Sequence, residues 1–325
     1  MSPRAMKPAT MQPRNRRIEI FMTCGAGLLT RAAIFALRRQ HALDSLIIRV
    51  KLPHAMEPPI QSSRNPVVRR FRRTSAGAFE DLMVAEGLRL VADVLTAGRE
   101  VVEVAWSPRL IDRPDGSALL ARLRECGATL HDCADRVLHQ LSHLKTHQGV
   151  SVILRRPTYC AADLLGGGEE RAANPLVVVA AGVRDPGNLG AIVRAAEAAG
   201  ATGVVALDAA DPFRDKAVRG SSGSILRMPC ISQRSADETV AFAREHGLQI
   251  VVADNAASEP CWDADLLAPT LLVFGSEGAG VPEDLVRAAD RRVGIPLAAP
   301  VESLNVSVAA GVVLFEARRQ RALAR

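Results

Sequence analysis

The stretch I-P-L-A-A-P-V-E-S-L-N-V-S-V-A-A-G, residues 295–311, reads as a strand end, a polar turn and the start of a long helix. The apolar run 293–297 ends before Pro300, and Ser303 or Asn305 offers a helix N-cap. Beyond the cap, Leu304, Val308, Gly311 and Phe315 recur at helical spacing, which predicts a packed helix over residues 304–322. One cap needs one side chain, yet Ser303, Asn305 and Ser307 crowd the same turn. The surplus marks a candidate site, with ordinary capping among solvated neighbours as the alternative.

Working outward, residues 175–325 alternate short apolar strands with helices. Strands are predicted at 176–182, 203–207, 249–253, 270–274 and 292–297, and helices at 190–199, 238–246, 282–288 and 304–322. That alternation is the pattern of an α/β fold whose parallel sheet is covered on both faces. Ligand sites in such sheets lie beyond the C-terminal ends of the strands. Two further polar turns should share that edge with 298–305. D-P-G-N-L-G-A-I-V-R, from Asp185, has a Pro186-Gly187 turn, Asn188 as a cap, Gly190 where something can approach the chain, and Arg194 on the same helix face as that glycine. F-G-S-E-G-A-G, from Phe274, places Glu277 among Gly275, Gly278 and Gly280, whose backbones a ligand could touch.

Composition bounds the alternatives. The chain has 325 residues, an apolar fraction of 48% and a net charge of +6. Its length allows two domains, each with its own core. Aromatic residues make up 3%, so any contact with nucleic acid rests on arginine rather than stacking platforms. Residues 1–73 hold 15 Lys and Arg against three Asp and Glu, a net +12, leaving −6 for the remainder. Six scattered cysteines without a C-x-x-C pair fit a reducing compartment, and cytoplasmic location is expected. His139, His143 and His147 are spaced by four, but on one helix the outer two would stand about 12 Å apart, and no metal is expected. No apolar run reaches the eighteen or so residues of a membrane span.

Residues 1–60, rich in Arg, Met and Pro, have the composition of a transit peptide or a disordered tail. A start codon placed too early, with Met22 or Met56 as the true start, is the favoured explanation. From Asn65, R-N-P-V-V-R-R-F-R-R sets Arg69, Arg70, Arg72 and Arg73 beside Val67, Val68 and Phe71, a candidate contact surface for polyanions. A helix is expected over 80–96, a strand over 101–106, helices over 118–126 and 134–141, and a strand over 150–154. Residues 61–156 thus form a small α/β domain. A glycine-rich linker, 157–174 with Gly166, Gly167 and Gly168, leads to the larger domain at 175–325.

The motifs D-P-G-N-L-G-A-I-V-R-A-A, V-F-G-S-E-G-A-G and I-P-L…V-E-S-L-N-V-S-V-A-A-G together resemble the three ordered motifs of the SpoU (TrmH-type) RNA ribose 2′-O-methyltransferases of the SPOUT superfamily. Residues 65–156, including L-S-H-L-K-T-H-Q-G-V, are similar to the RNA substrate-binding domain that often precedes the catalytic one, although His147 stands where relatives often have proline. The resemblance implies a SPOUT-type parallel sheet with a C-terminal trefoil knot, although knots are rare in folds generally. It further implies S-adenosyl-L-methionine as cofactor and a homodimer built across the active site. Gly275, Gly280, Ile295 and Leu304 would hold the cofactor. Arg194, Asn188, Glu277, Ser303 and Asn305 would form the catalytic set, and Arg219 in R-G-S-S-G would contact RNA with the 69–73 arginines. The implied activity is methyl transfer to a ribose 2′-hydroxyl, with ribosomal RNA modification favoured over transfer RNA.

Two readings from other classes compete. An RNA-binding protein that has lost catalysis would be expected to lose motif residues, and here they are all present. A nicotinamide-dependent oxidoreductase is suggested by strand, G-x-x-G, helix, strand and Asp208, but the G-x-G start is missing.

Overall fold

The computed structural model describes residues 58–324, apart from 145, 167–173 and 234. The expectations for residues 1–57 and for Gly167 and Gly168 lie outside the described residues. The described chain opens on helix α1 (Pro66–Ser75), which local chemistry specifies: the Asn65 side chain accepts a hydrogen bond from Val67 N at 2.8 Å, and Pro66 fills the first turn. Val68, Phe71 and Thr74 are buried beneath it, which leaves Arg69, Arg70, Arg72 and Arg73 exposed on its outer side.

Then follow β1 (Leu82–Glu86), α2 (Leu88–Thr96), β2 (Val101–Trp106), α3 (Gly116–Glu125), β3 (Thr129–Asp132), α4 (Asp135–Leu141) and β4 (Val150–Arg155). The strands form one sheet in the order β1-β4-β2-β3, with β4 antiparallel to both neighbours and β2 parallel to β3. The helix expected over 80–96 is therefore only half right. Five consecutive buried residues of β1 fit a strand or a buried helix equally well, and Gly87, with φ +92°, is the break between strand and helix. The acceptor at the start of α2 comes from far along the chain: Gln148 Oε1 takes Leu88 N–H at 2.7 Å.

The described first part of the expected linker is structured. A 3₁₀ turn at Ala161–Leu165 buries Leu164 and Leu165 against the second sheet. That sheet is built by β5 (Leu176–Ala181), β6 (Gly203–Leu207), β7 (Cys230–Gln233), β8 (Gln249–Ala253), β9 (Glu259–Pro260), β10 (Thr270–Phe274) and β11 (Arg291–Gly294). Its order is β7-β6-β5-β10-β8-β11-β9, and every pairing is parallel. Near-continuous burial of β5, β6 and β10 shows both faces covered. The helices are α5 (Pro186–Ala199), α6 (Asp215–Gly220), α7 (Ala236–Glu245), α8 (Glu283–Ala288) and α9 (Val306–Leu323). Although α9 follows β11 near one edge, it packs against α5, so the chain crosses back over the sheet through the stretch at 295–305. Residues 58–325 fall within one compact unit, and Arg99 Nε to Leu226 O at 2.8 Å and Arg156 to Asp211 at 3.0 Å tie the two sheets together.

Helix α4 ends at Leu141, so His139, His143 and His147 do not share a helix. Among the described residues no group of three or more His, Cys, Asp and Glu suits a metal ion. The His147 ring is buried, neither nitrogen makes a hydrogen bond, and Nε2 lies 3.3 Å from Asp135 Oδ2. Burial pushes its pKa below the ordinary histidine value despite that carboxylate. The neutral ring is thus favoured in the fold, and the stability it contributes is lost as pH falls below about 6.5, the unfolded value. The melting-temperature drop between pH 7.5 and 5 is expected to be smaller in His147→Leu than in the wild type.

Candidate functional site

Three loops meet beyond the C-terminal ends of β5, β10 and β11. Asp185 caps α5 by accepting Asn188 N–H at 2.9 Å and takes a further hydrogen bond from Lys216, and these two donors hold its carboxyl below the usual carboxylate range. Asn188 Nδ2 then donates to Glu277 Oε1 at 3.2 Å. Asn305 Nδ2 donates to the same oxygen at 2.7 Å and to Asn188 Oδ1 at 3.2 Å. Val306 N–H also points to Glu277 Oε1, at 3.3 Å. One carboxylate oxygen thus gathers two side-chain amides and one backbone amide from the other two loops.

The crowding at the α9 cap is resolved by the same contacts. Asn305 is the N-cap: its Oδ1 accepts from Ser307 N at 3.0 Å and Ser307 Oγ at 2.6 Å, leaving Nδ2 for Glu277 and Asn188. Ser303 is exposed, and its side chain makes no hydrogen bond with another described residue. It stands two residues from the cluster without joining it.

The glycines act differently from expectation. A Cβ on Gly275 would lie 2.2 Å from Gly280 C and 2.3 Å from Val281 N, because the loop folds back on itself through Ser276–Gly280 hydrogen bonds of 3.1 and 2.9 Å. Gly280 has φ +70°. These two residues shape the loop that carries Glu277. At Gly190, what approaches is α6: a Cβ there would lie 2.3 Å from Ala217 O and 2.9 Å from Ser221 N. That close helix contact leaves no room for a pyrophosphate at the G-x-x-G, and Asp208 is paired with Arg184 at 2.6 Å, so the dinucleotide reading has no pocket. Arg194 is exposed and makes no hydrogen bond or ion pair with the described residues. It lies six residues after Asn188, roughly 9 Å along α5.

A cavity of about 350 Å³ opens at this edge, lined on one side by Asn255, Ala257 and Ser258 and on the other by Gly294, Ile295 and Leu297. Of the four residues expected to hold a cofactor, Ile295 lines it; Gly275, Gly280 and Leu304 do not. The 255–258 wall was missed in the sequence. Its only signal is the polar D-N-A-A-S run directly after the β8 strand.

The SpoU rRNA Methylase family matches residues 175–315, and the RNA 2′-O ribose methyltransferase substrate binding family matches residues 84–160. An uncharacterized tRNA/rRNA methyltransferase of Synechocystis is 30% identical over 269 residues, covering 81% of this chain and 94% of that protein. The chain belongs to the SpoU rRNA methylase family. The RlmB 23S rRNA (guanosine-2′-O-)-methyltransferase of Photobacterium profundum is 33% identical over 215 residues, 65% of this chain and 88% of its own length. Among solved structures, an AdoMet-bound rRNA methyltransferase from Sinorhizobium meliloti superposes with a TM-score of 0.71 at 29% identity, covering 81% of this chain and 98% of the other. The SPOUT-type fold class expected from the motifs is therefore the fold of this SpoU chain.

The arginines expected to contact RNA are not equivalent in this SpoU protein. Arg70 is paired with Glu103 at 3.0 Å, and Arg73 lies over the Phe79 ring at 5.1 Å. Arg69 and Arg72 have no ion-pair partner among the described residues. Arg219 is half-buried and bonded to Asp215, while its neighbour Gly223 abuts Asp93 of α2, so part of R-G-S-S-G joins the two sheets. The glycine contacts give a direct test. Gly190→Ala, whose methyl meets rigid backbone, is expected to lose roughly 1–3 kcal/mol of stability. Gly278→Ala, which meets nothing within 4 Å, should melt near the wild-type temperature.

Proposed function

We propose that the chain transfers a methyl group from S-adenosylmethionine to a ribose 2′-hydroxyl of structured RNA, with ribosomal RNA favoured over transfer RNA. The observation that carries this reading is the junction of Asn188, Glu277 and Asn305 from three separate loops, with the exposed Arg194 farther along α5. The names of the relatives support the ribosomal preference, and the substrate-binding match supports RNA as partner. The same reading places the protein in the cytoplasm; no described helix is long and apolar enough to cross a membrane.

The cavity fits the cofactor in size and chemistry: about 350 Å³ is at the lower end of the roughly 300–1,000 Å³ of small-molecule pockets, and Asn255, Ser258 and Glu302 give it polar edges beside apolar Ile295 and Leu297. When bound, S-adenosylmethionine supplies an electrophilic methyl on a sulfonium. The chain's own tasks are to orient the hydroxyl and to manage its proton. Glu277 Oε1 already accepts three hydrogen bonds, so we assign this oxygen to positioning rather than to proton abstraction. Arg194 is free to hold an RNA phosphate and to stabilise the alkoxide as it develops; a guanidinium is a poor base. Ser303, exposed and uncommitted, faces the substrate in this reading, while Gly275, Gly280 and Leu304 act through the loops they shape.

The outer face of α9 supports a homodimer: the helix packs through Val306, Ala310, Val313, Leu314 and Ala317, not through the expected Val308 and Phe315, which with Val312 are exposed at helical spacing, as is Val301 just ahead of the helix. A second copy of the chain covers this face, and the crossing at 295–305 forms the trefoil knot of the family.

Three measurements test these roles. Asn305→Ser keeps a good N-cap but loses both donated hydrogen bonds, so methyl transfer should fall about 100-fold with little change in melting temperature. A matching loss of both would return Asn305 to capping alone. Arg194→Lys, which keeps charge without the guanidinium fork, should also be strongly impaired; near-normal activity would sink the phosphate role. Phe315→Glu with Val312→Glu should yield a monomer by light scattering. The target itself is found by mapping ribose methylation in a strain lacking the gene; an unchanged ribosomal RNA map with a missing tRNA methyl would reverse the stated preference.

A further inference from the structure

The cavity wall that the motifs do not predict is built in an unusual way. The chain leaves β8 at Ala253, arches through residues 254–258, and resumes as β9 on the far side of β11. Both β8 and β9 are parallel to β11, so the arch passes over the C-terminal end of that strand, where Gly294 leads into Ile295. The fit is close: a Cβ on Gly294 would lie 2.9 Å from Ala257 O and 3.3 Å from Asp254 O. The near side of the arch and the residues after Gly294 are the two walls of the cavity.

One residue holds the foot of the arch. Asp254 N donates to Val293 O at 2.9 Å, Asp254 O accepts from Ala257 N at 3.0 Å, and Oδ1 accepts from Ala256 N at 2.9 Å. Its other carboxylate oxygen takes Arg292 Nε at 3.1 Å and the neighbouring Nη2, both from β11 itself. The Ala256 amide and Arg292 hold the carboxyl below the usual carboxylate range. The Arg292 side chain thus spans from the strand under the arch to the foot of the arch. Neither residue lines the cavity, so neither is a catalytic residue.

We propose that Asp254 and Arg292 are positioning residues that clamp the 254–258 arch over Gly294 and thereby set the width of the cofactor cavity. The inference rests on the reading of that cavity as the S-adenosylmethionine site. A surface ion pair contributes little to stability by itself. Here it fixes the distance between two walls, so its removal should appear in cofactor affinity before it appears in folding.

The test uses the full chain, with S-adenosylmethionine and S-adenosylhomocysteine as calorimetric probes and a melting curve for each variant. Arg292→Met keeps the apolar stem and removes the fork; both probes should bind roughly tenfold more weakly, the factor that about 1.4 kcal/mol carries, with KM for the cofactor raised, kcat nearly kept and RNA affinity unchanged. Arg292→Lys should recover part of that loss, and Asp254→Asn, which keeps an acceptor for Ala256 N–H, should resemble Arg292→Met. Wild-type affinity in Arg292→Met overturns the clamp, and so does a loss of binding matched by a proportionate loss of melting temperature. A wild-type chain that binds neither probe overturns the proposed function itself, a result separable from failure of the clamp.

Discussion

A single oxygen, Glu277 Oε1, is where the three motif loops become one site. It accepts from Asn188, Asn305 and the backbone of Val306, which arrive from opposite ends of a domain more than a hundred residues long. A charge-assisted acceptor of this kind holds its donors more tightly than neutral pairs do. Everything around it serves to deliver those donors: Asp185 starts α5 so that Asn188 faces inward, Gly275 lets the Glu277 loop close, and Asn305 starts α9 at the correct residue. Glu277 is thus the common reference for the other two loops, and Asn305, which also donates to Asn188, links those two directly.

The sheet and the site were legible to different degrees. Apolar runs at 176–181, 203–207, 249–253 and 270–274 stood out because a parallel strand buried on both faces has no polar interruption. Cys230–Gln233 and Thr129–Asp132 were not seen: four residues, partly exposed, carry too little hydrophobic pattern. Helix α1 has no counterpart among the predicted elements although Asn65-Pro66 announces it: four arginines in ten residues mask the short apolar repeat of Val68 and Phe71.

At the site, Asn188, Glu277 and Asn305 were found as motif members, and the resemblance to the family assigned them roles. Their mutual hydrogen bonds could not be read, because they depend on how far each loop reaches beyond its strand. At Gly190 and Gly275 the place a Cβ would take is filled by the protein's own backbone, at Gly190 by α6 and at Gly275 by its own loop. A glycine announces close approach; the sequence does not say by what.

The contact between Gln148 and the start of α2 bears on how the chain is made. The acceptor for Leu88 N–H lies sixty residues downstream, beside Gly149 and the last strand of the first sheet. During synthesis, α2 can form as a nascent helix but lacks its terminal acceptor until β4 has emerged and paired with β1 and β2. One of the two central strands of the sheet is thus also its last to be translated, and closure of the N-terminal half is a late, nonlocal event rather than a progressive one.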